Sequence, residues 1–226
     1  MKAIIFDAST LISLSMNGLL GELKKLKDNF KGKFIITEEV KYEVIDRPIK
    51  VKRFELEALR VRELMRKKVL EMPNALGISS EEITRRKDKM ISIANSMFEG
   101  NKKNIEIIHE GEASCLALSK ILLEKKIPNI IAIDERTTRM LGEKPENLKE
   151  LLTKKMSTRV RLKTKDFKFF KGFRFIRSTE LMYVAWKKGL LELKDGKTVL
   201  DAVLWALKFK GAAISSDEIR EIKAMK

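Results

Sequence analysis

Glutamine is absent from the 226 residues, and cysteine and histidine occur once each, as Cys115 and His109. One cysteine excludes a disulfide within the chain and any thiolate cluster around a metal. One histidine excludes a His-rich zinc site, and Ser-His-Asp chemistry remains only if His109 takes part. No run of about 18 apolar residues is present, so no segment of the sequence is built to span a bilayer. A single Lys precedes the first apolar stretch, which Asp7 interrupts. A secretory leader is therefore not expected, and a cytoplasmic setting is. With thiol and imidazole nearly missing, catalysis has to rest on carboxylates.

The charge that is present is lopsided. Lys and Arg number 48 against 32 Asp and Glu, a formal net charge of +16. An excess of this size speaks to partners, and polyanions such as RNA come first. Abundant Lys, Arg and Glu without Gln also suits a protein from a hot environment. The hydrophobic content of 44% supports a folded core, and the length fits a single domain over 1–226 with insertions.

Along the chain, apolar runs at 3–7, 33–37 and 130–133 read as strands. Between them lie segments of helical period, the first carrying Leu11, Leu14, Leu19, Leu20, Leu23 and Leu26 on one helix. Alternation of this kind predicts an α/β fold, a three-layer α/β/α sandwich around a central parallel sheet. Two stretches depart from the pattern. Residues 47–105 read as a helical insertion: one amphipathic helix with Leu56, Leu59 and Leu64 on one side, and a second running from a Ser79–Glu82 capping box to Gly100. Mixed charge on this pair suits packing or dimerisation.

Residues 143–177 form the second insertion. Within 154–177, Lys154, Lys155, Arg159, Arg161, Lys163, Lys165, Lys168, Lys171, Arg174 and Arg177 face one acid, Asp166. Residues 159–163 and 173–175 alternate with period two, which predicts a basic, aromatic β-hairpin. Its cations suit RNA phosphates, and Phe167, Phe169, Phe170, Phe173 and Phe175 suit stacking on unpaired bases. The expected RNA contacts are Arg159, Arg161, Lys163, Lys165, Lys168, Phe169, Lys171 and Arg174.

Asp7 and Asp134 each end a strand, Glu43 lies in the helix after the second strand, and Glu112 opens the helix at Gly111. In a parallel sheet these positions collect at the carboxyl edge. Four buried carboxylates repel one another, and a hard cation such as Mg2+ or Mn2+ relieves that repulsion. Each acid also has a simpler role open to it. Asp7 and Asp134 are placed to cap helices, Glu112 to meet a helix dipole, and Glu43 to pair with Lys41 or Arg47.

The stretches "IIFDASTLISL", "IITEEVKYEV", "EGEASCLALS" and "IAIDERTTRML" resemble the four acidic motifs of PIN-domain nucleases, the family that includes the VapC toxins. "STELMYVAWKKGLL" and "LDAVLWALKFKGAAIS" are similar to the C-terminal half of a prokaryotic PIN subgroup. The resemblance covers roughly residues 1–46, 106–142 and 176–224. It implies a PIN-like fold and a ribonuclease using Mg2+ or Mn2+, with Asp7, Glu43, Glu112 and Asp134 as metal-binding and catalytic acids. Glu38 and Glu39 rival Glu43. Ser9 or Thr10 would be a polar helper, with Glu135 and Arg139 as auxiliaries. The implied partners are single-stranded RNA, an antitoxin or RNA-processing protein, and a second copy in a homodimer. Neither insertion belongs to the family pattern. That leaves two alternatives: an RNA-binding or assembly module with weak or no catalysis, and a nuclease of DNA or structured RNA.

Overall fold

The four residues Ala3–Phe6 are all buried, as expected of a strand covered on both faces of a parallel sheet. A computed structural model describes residues 2–225. In it this strand, β1, pairs in parallel with β2 (Lys33–Ile35) on one side and β5 (Asn129–Ala132) on the other. Beyond β5 lies β7 (Phe175–Ile176), also parallel, giving the order β2-β1-β5-β7. Helices flank this sheet in a three-layer α/β/α arrangement.

The first helical segment is two helices, not one. α1 (Ala8–Met16) ends before Gly18, whose φ of +71° turns the chain, and α2 (Leu20–Asn29) starts afresh. Glycine takes that left-handed conformation without steric cost. After β2, Thr37 caps α3 (Glu38–Lys41) by accepting the Val40 N–H at 3.3 Å. The chain then widens into a π-helical turn over Tyr42–Asp46, with Arg47 N–H reaching the Tyr42 carbonyl at 2.9 Å.

Residues 47–105 hold α4 (Glu55–Arg66) and α5 (Ser80–Ala94). The buried face of α4 is Ala58, Val61 and Leu64, while Leu56 and Leu59 are exposed at 55% and 37%. The expected stripe was therefore rotated, because small Ala58 rather than Leu56 or Leu59 meets the core. Ser79 does cap α5, accepting the Glu82 N–H at 3.3 Å. The helix stops at Ala94 and does not reach Gly100, since Phe98–Gly100 is a strand, β3.

β3 pairs antiparallel with β4 (Lys103–Asn104) on one side and β6 (Val160–Leu162) on the other. This corrects the expected hairpin within 154–177. The two alternating stretches do enter strands, but β6 joins β3 and β7 joins the central sheet. Apolar Phe175 and Ile176 complete the core beside β5. α7 (Arg136–Glu143) follows β5, and the second insertion after it opens with α8 (Leu148–Met156).

α6 (Glu110–Glu124) packs on β1 and β5 and is covered by α5, with α3 beside it. α9 (Ser178–Lys187), packed on α10 (Gly196–Phe209), meets α1 and α2. α11 (Ser216–Ala224) closes the fold against α10. Among the described residues no helix is long and apolar enough to cross a membrane.

Candidate functional site

Asp7 leaves β1 with its backbone still in the sheet: its N–H donates to the Ala132 carbonyl at 2.9 Å. Its side chain turns over the start of α1, where Oδ2 accepts the Ser9 N–H at 2.9 Å and the Ser9 hydroxyl at 2.5 Å. The residue is 2% exposed.

Glu43 reaches the same edge from the π turn. A Cβ built on Gly111 would lie 2.8 Å from Glu43 Oε1, so only glycine lets the carboxylate come this close to α6. The Gly111 N–H donates to it. Two hydroxyls hold α3 and α6 in register. Ser114 donates to the Gly111 carbonyl at 2.7 Å, so its 2.6 Å bond to Thr37 is donated by Thr37. One turn into α6, Cys115 lies buried with Sγ 3.7 Å from the Phe6 carbonyl. Glu112 lies on this same turn, and its charge acts on both Glu43 and Asp7.

The electrostatics record the convergence. Burial, and next the Glu112 charge, push the Asp7 carboxyl up to about 7, against the Ser9 bonds that pull it down. Burial followed by the Glu112 charge also raises the Glu43 carboxyl, while the Gly111 N–H lowers it. A hydrogen-bonded helix cap on its own holds a carboxyl low. Capping is thus part of what Asp7 does, and burial, with the charges of Glu112 and Glu43 behind it, outweighs it.

Asp134 stands apart from the other three. It is fully buried, with Oδ1 accepting the Ser178 N–H and Oδ2 the Ser178 hydroxyl, both at 2.7 Å. Burial raises its carboxyl in spite of those bonds. Those two bonds turn its carboxylate to the start of α9. Its backbone N–H, however, donates to the Ser9 hydroxyl at 3.0 Å.

The rival acids sort by partner. Glu39 pairs with the buried Lys87 at 3.1 Å, and Lys87 also contacts Glu110. Glu38 is exposed beside Lys41. Glu43 alone of the three faces α6. Of the two hydroxyls, that of Ser9 bonds Asp7, while Thr10 Oγ1 is buried without a hydrogen-bond partner among the described residues. Glu135 caps α7, Oε2 accepting the Thr138 N–H at 2.6 Å. Arg139 donates to the Ala213 carbonyl at 3.2 Å, and burial with the nearby Arg177 lowers its pKa. His109 is exposed at the head of α6, and Glu112 accepts its backbone N–H at 3.0 Å.

Arg159, Arg161, Lys163, Lys165, Lys168, Lys171 and Arg174 are all exposed. The aromatics are not equally free. Phe170 and Phe173 are buried core residues and have no face to offer a base, and half-buried Phe169 packs edge-on to Phe170 with Lys89 over its ring. Arg177, tenth of the basic run, is buried against Glu180 and Glu218. Ser178, Gly111 and Lys87 are site-building residues that the sequence reading did not single out. The Gly directly before the helix-opening Glu was the one visible signal.

Among the described residues no three Asp, Glu, His or Cys side chains are already drawn together as a metal's ligands would be. The donor set nonetheless fits a hard cation. It is all oxygen, and Mg2+ keeps several waters while binding through one or two carboxylates. Glu43 and Glu112 are half-exposed and long enough to swing from their present bonds. No protein-family model matches the chain, and no curated protein or solved structure is significantly similar to it.

Proposed function

We propose that this chain is a PIN-like, divalent-cation-dependent ribonuclease. The observation that carries the reading is the meeting of Asp7, Glu43 and Glu112 at the carboxyl edge of β1, where α6 brings Gly111 against Glu43 and Cys115 against Phe6. A bound Mg2+ or Mn2+ would activate water and steady the departing oxygen of a phosphodiester. Asp7, Glu43 and Glu112 would hold the ion. Ser9 orients Asp7, Gly111 positions Glu43, and Asp134 anchors the hydroxyl of Ser9 through its backbone. The net charge of +16 supports RNA as the substrate.

A second reading has its own observation. Every one of the four acids already has a hydrogen-bond partner within the fold, which favours an RNA-binding or assembly module without cleavage. Incubation of single-stranded RNAs with wild type, Asp7→Asn and Glu43→Gln, in Mn2+, Mg2+ or EDTA, decides between them. Cation-dependent cutting by wild type and its loss in both variants supports the nuclease. No cutting by wild type leaves the binding module, and equal cutting by the variants overturns these acids as the source of cleavage.

A further inference from the structure

A recess of about 620 Å³ opens beside the acid edge, and Ser9, Thr137, Arg136, Lys154 and Lys155 are among the residues that line it. Asp134 and Glu135 also line it, with the Asp134 oxygens turned to Ser178 and Glu135 Oε2 to the Thr138 N–H. The three cations outnumber these two acids. Arg136 and Lys155 are exposed and form no ion pair or side-chain hydrogen bond among the described residues. Lys154 has only a solvent-exposed pair with Glu150 at 2.7 Å, of a kind worth little. The recess therefore offers positive charge to a visitor, and its lining includes Ser9, whose hydroxyl bonds Asp7.

We infer that this recess seats a backbone phosphate of the strand lying over the carboxylates, gripped by Arg136, Lys154 and Lys155. The inference rests on the phosphodiester substrate proposed above. Arg supplies a forked donor set that matches phosphate oxygens, and Lys supplies point charges. Lys154 and Lys155 of this grip come from the C-terminal turn of α8, inside the second insertion, and Arg136 from the start of α7. That insertion therefore contributes to the substrate path at a different place from Arg159–Arg174.

The test is binding of fluorescein-labelled 12-nucleotide single-stranded RNA and DNA in EDTA across a salt series. Wild type is compared with Arg136→Ala/Lys155→Ala and with Lys24→Ala/Lys31→Ala, a control that removes two exposed cations elsewhere. The recess variant is expected to bind both strands about tenfold more weakly, with a salt slope smaller by about two; the control stays within about twofold of wild type. Binding equal to the control overturns the inference, as does a wild type that binds neither strand. A loss confined to RNA overturns phosphate as the recognised group. Because binding is read without divalent ions, a wild type that binds here but cuts nothing in the Mn2+ and Mg2+ incubations refutes the nuclease and leaves the recess assignment standing.

Discussion

The Ser9 hydroxyl ties Asp7 to Asp134: it donates to Asp7 Oδ2 at 2.5 Å and accepts the Asp134 N–H at 3.0 Å. Two strand ends, 127 residues apart in sequence (134 − 7), are thus joined through one oxygen. Ser9→Ala removes the donor that lowers the Asp7 pKa and leaves a buried N–H without its acceptor. A loss of about 1–3 kcal/mol in denaturant unfolding is expected, larger at pH 8 than at pH 5 because the charged form of Asp7 needs the bond most. An equal loss at both pH values contradicts this account.

Asp7 itself sets a pH dependence. Its carboxyl is raised from 3.8 to about 7 on folding. The folded chain therefore holds the proton more tightly. The associated stability is fully present below about 3.8 and is lost as pH rises through 7, a total on the order of 4 kcal/mol. In EDTA, Asp7→Asn should be more stable than wild type at pH 8, with the gap closing towards pH 4. Mn2+ should raise the melting temperature of wild type at pH 8 and leave Asp7→Asn unmoved. A wild type that gains stability between pH 5 and 8 relative to the variant would falsify the assignment.

Gly111→Ala places a methyl against the Glu43 carboxylate. The neighbour is the far end of a flexible side chain, and alanine favours a helix by up to about 1 kcal/mol over glycine. Stability should stay within about 1 kcal/mol of wild type while cation-dependent cleavage falls at least tenfold. Parallel loss of stability and activity would instead mean that Gly111 matters for packing alone.

Asp134 should behave in the opposite way to Asp7. Asp134→Ala strands the N–H and hydroxyl of Ser178 in the core, at a cost of about 2–4 kcal/mol in denaturant unfolding. Asp134→Asn, which keeps one acceptor, should lose less and retain cation-dependent cutting below its melting temperature. A variant as stable as wild type but inactive would return Asp134 to the chemistry.

The central sheet was legible because buried parallel strands read as short apolar runs, and both Ala3–Phe6 and Asn129–Ala132 do so. The convergence of Asp7, Glu43 and Glu112 followed from the same topology. What was hidden was non-local or fine-grained. The destination of Asp134 depends on Ser178, 44 residues away. The aim of Glu43 depends on a five-residue π turn that hydrophobic periodicity cannot distinguish from an α-helix. β7 has only two residues, too few to show a period, so its apolar pair was read as one arm of a hairpin.

Pairing of β3 with β6 knits residues 98–100 to residues 160–162, which makes the two insertions a single unit for anyone trimming the chain. Deleting 47–105 alone would strip β6 of its partner and bare an unprotected strand edge, an invitation to aggregation. A minimal version of this protein has to keep β3 with β6 and to spare β7, because losing Phe175–Ile176 would bare β5 in the central sheet.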